Sequence, residues 1–200
     1  MQLKEIRDLV IAAIVLAFVF VYRGFDNLDA TLALLPFGLI AVSLSFILHE
    51  MSHRYFAKKY GQFAEFRLWP IGLLIATALA IGTNGMFIFA APGAVVIFQK
   101  ADLWGNVKTL TKKQLGIISI SGSAMNMLLA LGFAIAAVVT NIPLLFTGTF
   151  INIWLALFNM IPFGPLDGNK VLYWNKKIWA VFFALCIVSF VLAIIFLGVF

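Results

Sequence analysis

Long stretches without a charged residue alternate with short charged segments along this chain. The uncharged stretches cover residues 9–22, 30–48, 68–99, 114–166 and 178–200. A helix that crosses a lipid bilayer needs about 17–25 mainly apolar residues. Residues 30–48 and 178–200 are therefore long enough for one crossing each, and residues 114–166 are long enough for two. We place the turn between those two helices at Asn141-Ile142-Pro143, because asparagine and proline favour turns.

Residues 9–22 form the shortest of these stretches. Lys4, Arg7 and Arg23 stand near its ends, and such long side chains can bury their alkyl stems while their charges reach the lipid headgroups. No cleavage site of small residues follows, so we predict a retained first helix rather than a signal peptide.

The stretch of residues 68–99 has two interpretations. It either crosses the membrane once, or it enters and leaves on one side with a turn at residues 82–85, where Asn84-Gly85 is a strong hairpin signal. Cytoplasmic loops are enriched in Lys and Arg. With an internal N-terminus, the re-entrant topology puts thirteen of the fourteen basic residues inside, whereas the crossing topology puts six inside and eight outside. We therefore predict five crossings, with six as the alternative.

The returning arm of this stretch is predicted to contain a strand. Residues 94–98 follow Pro92-Gly93 and are rich in β-branched side chains, which is typical of strands; the alternative is an apolar helix that ends at Pro92. Non-helical backbone at membrane depth is tolerated where protein covers it or where it lines a water-filled cavity. The predicted fold is an all-α polytopic membrane protein of five, alternatively six, transmembrane helices, with a re-entrant segment that carries a short edge strand. Residues 1–200 are taken as a single domain.

The composition excludes several classes of protein. Apolar residues make up 64% of the chain and charged residues 11%, with a mean hydropathy of +1.07, whereas soluble domains average about 45–50% and about 25%. A soluble enzyme and a disordered chain are excluded on this ground, and a single cysteine, Cys186, excludes a disulfide scaffold. The net charge of +6 fits a membrane-topology signal better than a nucleic-acid interface, so no nucleic-acid partner is expected.

Both histidines of the chain lie in one motif, His49-Glu50-Met51-Ser52-His53. Residues four apart share a helix face, so both imidazoles can reach one metal ion while Glu50 lies beside the ion's open position. This is the His-Glu-x-x-His pattern of zinc hydrolases, with two ligands and a general base. Ionisable residues at the end of an apolar helix are costly and indicate a functional site. The alternative is a solvated helix end whose polar groups reach the headgroups.

A catalytic zinc site needs a third protein ligand. The chain has no third histidine, and its one thiol lies in an apolar segment, so the ligand must be a carboxylate. Asp167 is favoured because the prolines and glycines of residues 159–168 break an apolar helix and can turn a carboxylate inward. The alternatives are that Asp167 is a surface residue in a turn, or that Glu65 is the ligand. The five-crossing topology puts Asp167 and the two histidines on the same side of the membrane.

With these motifs the chain resembles the site-2 protease family of intramembrane zinc metalloproteases. Residues 49–53 match the family's zinc motif, and residues 159–168 match its Asn-x-x-Pro…Leu-Asp-Gly motif. Residues 121–126 are similar to the Gly-Pro-x-x-Asn segment of an intervening helix, although Ser123 stands where many members have proline and Ser52 where many have glycine. The resemblance is to the minimal transmembrane core, without a PDZ or CBS module.

The resemblance implies a hydrolytic zinc centre and agrees with the chemistry of the motifs. His49, His53 and Asp167 would hold one Zn²⁺, and Glu50 would move a proton from the attacking water to the leaving amine. The implied substrate is a transmembrane helix, which must unwind before its amides can be hydrolysed. An extended peptide can pair with the exposed edge of a strand, so the residues expected to hold the substrate include Ala94, Val95, Val96 and Ile97.

A stripe of small and polar residues follows helical spacing in residues 114–140: Ser119, Gly122, Ser123 and Asn126. Such a stripe would let this helix approach the zinc helix closely. Two roles are open for Asn126, and equally for Asn159 farther along the chain. Either side chain hydrogen-bonds the substrate backbone or the developing oxyanion, or it joins helices through polar contacts.

The sequence thus predicts a zinc-dependent intramembrane endopeptidase. We expect a multi-pass protein of the cell membrane with its active site toward the cytoplasmic side, whose partners are a transmembrane protein substrate and the lipid bilayer. The alternative is a catalytically silent, metal-containing membrane protein that binds helices or transports an ion. Glu50 argues against this alternative, because a carboxylate that is not a ligand has no structural reason to lie at that depth.

Overall fold

The computed structural model describes residues 2–98 and 109–197. Its helices and strands are, in chain order, α1 Leu3–Val21, α2 Leu28–Lys59, β1 Phe63–Leu68, α3 Pro70–Gly82, β2 Gly93–Phe98, α4 Lys112–Thr140, α5 Leu145–Asn159, α6 Asp167–Trp174 and α7 Lys176–Leu197. The prediction of a mainly helical protein with a strand at residues 94–98 is confirmed. Lys100 and Lys108, which entered the predicted charge balance, lie outside the described residues.

Within the described part of the chain, three helical segments are long and apolar enough to cross a membrane: Phe25–Lys59, Lys112–Thr140 and Lys176–Phe196. α3 and α5 are also apolar but shorter. The turn predicted between α4 and α5 is confirmed, since Asn141, the residue after α4, has a left-handed φ of 52°. The count of five crossings stays a prediction, because it depends on how the shorter helices lie in the bilayer.

Contacts divide the chain into two compact units, and the first comprises residues 1–47 and 66–94. In this unit α1 packs against α3 around a buried cluster of Val19, Tyr22, Ala76 and Ala80. Alanine at these α3 positions lets the two helices approach closely. The prediction that the chain forms a single domain stays a prediction.

A tight turn reverses the chain after α3. Asn84 and Gly85 have φ angles of 51° and 80°, the left-handed pair that Asn-Gly adopts most readily. Gly85 also lies so close to the Tyr22 carbonyl that a Cβ there would collide with it. The turn predicted at residues 82–85 is therefore confirmed.

The segment from α3 to β2 begins and ends at the same point of the first unit. At its base the Trp69 N–H donates a hydrogen bond of 2.8 Å to the Pro92 carbonyl. α3 has 13 residues, which at 1.5 Å per residue corresponds to about 20 Å. The hydrocarbon core of a bilayer is about 30 Å thick, so α3 is too short to span it as an upright helix.

β1 and β2 form a two-stranded sheet. The strands are antiparallel, because Phe98 at the end of β2 contacts the ring of Phe63 at the start of β1, while Gly93 at the start of β2 lies against the Arg67 carbonyl. The prediction of an all-α fold with one strand omitted β1. Its alternating burial, with Ala64 and Phe66 inside, is the period-2 pattern of a strand.

The second unit comprises residues 48–65 and 95–200. In it α4 packs against α5 and α6, and α7 packs against the same two helices. Two buried clusters join these helices, one of Ala130, Phe150, Ile153 and Ala193 and one of Ala156, Met160, Val171 and Cys186. The second unit therefore contains α6 and the part of α2 that carries both histidines.

Candidate active site

Two imidazoles from one helix form the base of the site. His49 and His53 lie one turn apart near the C-terminal end of α2, and both are buried. Their Nε2 atoms are 3.0 Å apart, and the rings stand nearly perpendicular at 85°. The spacing of four residues thus brings two nitrogen ligands to one point, as expected from helix geometry.

Asp167 brings a carboxylate to the same point. Its Oδ2 lies 2.9 Å from His53 Nε2 and 3.5 Å from His49 Nε2. α5 ends at Asn159 and α6 begins at Asp167 itself, so the irregular residues 160–166 turn the side chain inward. A glycine must follow, because a Cβ at Gly168 would collide with the Met160 carbonyl. The structure therefore supports an inward-facing Asp167 rather than a surface residue in a turn.

These three side chains fit a zinc ion. One ligand atom from each lies within 4.8 Å of the other two, and the separations of 2.9, 3.0 and 3.5 Å bracket the value of about 3.3 Å expected between ligands about 2.0–2.1 Å from a tetrahedral zinc. Among the described residues, one group of three or more histidine, cysteine or acidic side chains is close enough to hold a metal ion, and it consists of His49, His53 and Asp167. Glu65 does not belong to this group. Two nitrogens and one carboxylate oxygen are a donor set of catalytic zinc sites.

A positive charge stands behind the carboxylate. Lys170 Nζ lies 3.2 Å from Asp167 Oδ1. Burial alone would raise the pKa of Asp167, but the neighbouring imidazoles and the Lys170 ammonium hold it well below its usual range. The carboxyl is therefore ionised at neutral pH, which is the form that binds a metal.

α4 passes directly over the two imidazoles. A Cβ built on Gly122 would lie 2.5 Å from His53 Nε2 and 2.6 Å from His49 Nε2. Ser119, Ser123 and Asn126 on the same face of α4 are buried. The close approach predicted from the small and polar stripe is thus present, and at Gly122 it depends on the absence of a side chain.

The other ring nitrogens of the two histidines have fixed partners. His53 Nδ1 lies 2.7 Å from the Ile118 carbonyl, and His49 Nδ1 lies 2.5 Å from Asn126 Oδ1. Partners at Nδ1 orient each ring so that Nε2 faces the metal position. Two roles were expected for Asn126, substrate binding and polar contact between helices. The structure agrees with the second role, because the Asn126 amide is directed at His49 of another helix.

Glu50 lies beside the metal position and is buried, although its carboxyl is not a member of the ligand group. The Val95 N–H of β2 hydrogen-bonds this carboxyl, whereas Oε2 has no hydrogen-bond partner among the described residues. A buried oxygen without a partner is destabilising. Its position next to the three ligands is the one that a general base requires.

The comparisons with known proteins agree with this geometry. The family described as Peptidase family M50, the site-2 proteases, matches residues 37–143, more than half of the chain. This chain belongs to peptidase family M50. It is therefore a zinc metalloprotease, and its apolar helices make it a membrane protein.

The relatives of this M50 peptidase are named as zinc metalloproteases. A protein of Methanocaldococcus jannaschii, provisionally named zinc metalloprotease MJ0611, is 39% identical over 183 residues, which cover 89% of this chain and 88% of that protein. A protein of Bacillus subtilis, provisionally named zinc metalloprotease YwhC, is 29% identical over 70% of this chain and 69% of its own length. No solved structure matches the chain.

The other residues of this M50 peptidase that were predicted to contact the substrate lie in two places, β2 and the end of α5. Ala94, Val95, Val96 and Ile97 are half-buried in β2, and Val95 reaches Glu50 as described. Asn159 instead donates its amide hydrogen to the Leu155 carbonyl of its own helix at 2.9 Å. The structure thus brings one end of β2 to the M50 site, but it does not bring the Asn159 amide to the three ligand atoms.

One polar residue behind the M50 site was not predicted. Asn152, fully buried in the middle of α5, accepts a hydrogen bond of 2.9 Å from Asn126 Nδ2. α5 falls in the uncharged stretch of residues 114–166, for which two apolar helices were predicted. The signal that could have identified Asn152 is an amide side chain far from both ends of such a helix, since polar groups there require partners.

Proposed function

We propose that this M50 peptidase is an intramembrane endopeptidase that hydrolyses peptide bonds in transmembrane helices of other proteins. The observation that carries the proposal is the buried group of His49, His53 and Asp167, beside which lies a Glu50 oxygen that no described residue hydrogen-bonds. A substrate that reaches this group must come from an apolar environment, because the ligand-bearing α2 is part of an apolar helical segment long enough to cross a bilayer.

Each residue has a defined task in this proposal. His49, His53 and Asp167 would hold a zinc ion, which would activate water as a nucleophile at neutral pH and polarise the scissile carbonyl. The Glu50 carboxylate accepts a proton from the attacking water and delivers it to the nitrogen of the leaving amine. Asn126 and the Ile118 carbonyl hold the two imidazoles in register, so no reorientation is needed during the reaction.

The reaction is tested with the purified protein in liposomes that also contain a single-pass transmembrane substrate. We expect cleavage inside the membrane segment of the substrate, loss of cleavage when a zinc chelator is added, and recovery when Zn²⁺ is returned. Mass spectrometry of the products locates the cut bond. Cleavage that is insensitive to the chelator, or an intact substrate with the zinc-loaded protein, would contradict the proposal.

The proposed topology is a multi-pass protein of the cell membrane with five crossings and a cytoplasmic active site. Support comes from α3, which is too short to span the bilayer as an upright helix, and from the Trp69–Pro92 hydrogen bond, which joins the two ends of the segment that contains it. With a re-entrant segment, α2 ends and α4 begins on the same side of the membrane. α4 and α5 then cross out and back, so residues 49–53 and Asp167 lie toward that side, in agreement with the predicted charge balance.

Single cysteines placed in a Cys186→Ala background distinguish five crossings from six. With five crossings, Asn27→Cys and Asn141→Cys are expected to react with a membrane-impermeant maleimide from one side, and Lys113→Cys from the other. With six crossings Lys113→Cys would share the side of Asn27→Cys and oppose Asn141→Cys. Labelling intact and permeabilised cells reads the result, and the six-crossing pattern would refute the proposed topology.

The outer edge of β2 is the proposed docking line for an unwound substrate. Backbone groups of successive residues in an antiparallel strand point to opposite edges. The Pro92 carbonyl bonds Trp69 on the β1 side, so by alternation the groups of Val95 and Ile97 point to the opposite edge. The hydrogen bond from Val95 to Glu50 agrees with this register. A peptide paired at this edge would be extended beside the general base.

Ile97→Pro tests the docking line. It removes an N–H from the outer edge without removing a bond to β1, a position at which edge strands tolerate proline. Loss of one hydrogen bond and the added ring are expected to slow cleavage at least about 10-fold, with the zinc content unchanged. Ile97→Ala, which trims the side chain but keeps the N–H, is the matched control. Equal cleavage rates for the two variants would exclude pairing at this edge.

A further inference from the structure

A line of three hydrogen bonds runs from the backbone of α5 to a metal-ligand imidazole. Asn152 Nδ2 donates to the Gly148 carbonyl at 2.8 Å, Asn126 Nδ2 donates to Asn152 Oδ1 at 2.9 Å, and Asn126 Oδ1 lies 2.5 Å from His49 Nδ1. Both amide side chains are fully buried. The line therefore lies in the packed interior of the second unit.

The Gly148 carbonyl, at one end of this line of hydrogen bonds, determines which group donates and which accepts in each bond. The Gly148 carbonyl can only accept, so Asn152 must present its NH₂ group to it and its Oδ1 to Asn126. That oxygen also only accepts, so Asn126 must present NH₂ to it and Oδ1 to His49. An oxygen at 2.5 Å from His49 Nδ1 requires the hydrogen to be on Nδ1. His49 Nε2 then keeps its lone pair for a metal.

We propose that Asn152 is a positioning residue that sets the tautomer of His49 through Asn126. The proposal rests on the proposed role of His49 as a zinc ligand. Without Asn152, the Asn126 amide would lose the Oδ1 acceptor that favours the orientation in which its own Oδ1 faces His49. An NH₂ group facing His49 Nδ1 would favour the tautomer with its hydrogen on Nε2, which cannot bind zinc until that hydrogen moves.

The second histidine provides an internal reference. His53 Nδ1 lies 2.7 Å from the Ile118 carbonyl, a main-chain acceptor that cannot turn over. Its tautomer therefore does not depend on any amide side chain. A change at Asn152 should alter His49 and leave His53 as it is, whereas general loosening of the helices would affect both rings.

The tautomers can be read directly, because the chain contains two histidines. The full-length protein in lipid nanodiscs is labelled with ¹⁵N-histidine and studied without metal, at a pH well above the ordinary imidazole pKa of about 6.5. The ¹⁵N shifts then report which nitrogen of each ring carries the hydrogen. A titration with Zn²⁺ alone follows, with the dissociation constant and the movement of the same signals as readouts.

Three variants separate positioning from packing. Asn152→Leu keeps the approximate size but removes both hydrogen bonds. Asn152→Asp in its protonated form can donate its O–H to the Gly148 carbonyl and keep an oxygen facing Asn126, so it should act as the rescue. Thr149→Val is the matched control on α5, since Thr149 Oγ1 is buried and no described residue hydrogen-bonds it. All three are compared by thermal unfolding before the spectra are interpreted.

We expect the hydrogen on Nδ1 of His49 in the unchanged protein, in Thr149→Val and in Asn152→Asp. Asn152→Leu should show mixed tautomers at His49 and a zinc dissociation constant raised about 10–100-fold, with His53 unchanged. A hydrogen on Nε2 of His49 in the unchanged protein would overturn the proposal even if Asn152→Leu does not fold, as would an unaltered His49 tautomer in a folded Asn152→Leu. If the tautomers are as predicted but added Zn²⁺ moves neither histidine signal, the histidines do not bind zinc. The proposed function then fails, and the proposal that rests on it is overturned.

Discussion

Glu50→Gln should retain zinc at the level of the unchanged protein and lose cleavage of a transmembrane substrate. Glutamine keeps the size of the side chain and can still meet the Val95 N–H through its carbonyl oxygen, so the site should remain assembled. It cannot accept a proton, and removal of a general base typically costs about 10²–10⁴-fold in rate. Zinc stoichiometry and single-turnover cleavage in liposomes measure the two properties on the same sample.

Two further variants make this result specific. Glu65→Gln changes an acid of the same unit that lies outside the ligand group, and it should keep both zinc and cleavage. Asp167→Ala removes a ligand and should lose both together. If Glu50→Gln still cleaves within about 10-fold of the unchanged protein, proton transfer by Glu50 is excluded. That outcome would not support the catalytically silent alternative, because the protein would still cleave its substrate.

Gly122→Ala should prevent normal zinc binding although it changes neither a ligand nor a charge. The new Cβ would lie about 2.5–2.6 Å from both Nε2 atoms, well inside van der Waals contact. The rings cannot turn away cheaply, since His49 and His53 are held at Nδ1 by Asn126 and the Ile118 carbonyl. We expect zinc affinity to fall by at least about 100-fold and cleavage to fall with it.

Gly132→Ala is the matched control for this substitution. Gly132 lies on the same helix, and a Cβ there meets no atom within 4 Å. Alanine is about 1 kcal/mol more favourable than glycine in a helix interior, so this variant should unfold at an equal or higher temperature and bind zinc normally. Normal zinc affinity in Gly122→Ala would show that α4 does not enclose the metal position as closely as the structure indicates.

The metal ligands were the most predictable part of the site. His49 and His53 are brought together by the repeat of one helix, which depends on local geometry alone. Asp167 was predictable by exclusion, because the chain offers few acids and this one lies where prolines and glycines interrupt an apolar helix. The structure brings all three within 4.8 Å, and the zinc cofactor is confirmed by the family and its relatives.

The surroundings of the ligands were less predictable. β1 alternates buried and exposed positions, but Arg67 was considered only in the topology charge balance and Glu65 only as an alternative metal ligand. A six-residue strand is stable when it finds a partner. Asn152 was overlooked because its role depends on Asn126, which is 26 positions away in the chain. For Asn126 both substrate binding and polar contact between helices were open, and the structure directs its side chain at His49.

The membrane setting, the helical architecture, the chain reversal at Asn84-Gly85 and the zinc chemistry could all be predicted from the order of the amino acids. All of these follow from short-range patterns, namely apolar length, turn residues and ligand spacing. The groups that surround the ligands became visible in the folded chain: the glycine of α4 over the imidazoles, the amides that orient His49, and the strand that reaches Glu50. Those contacts join residues distant in sequence, and their distances depend on how whole helices pack, which local patterns do not specify.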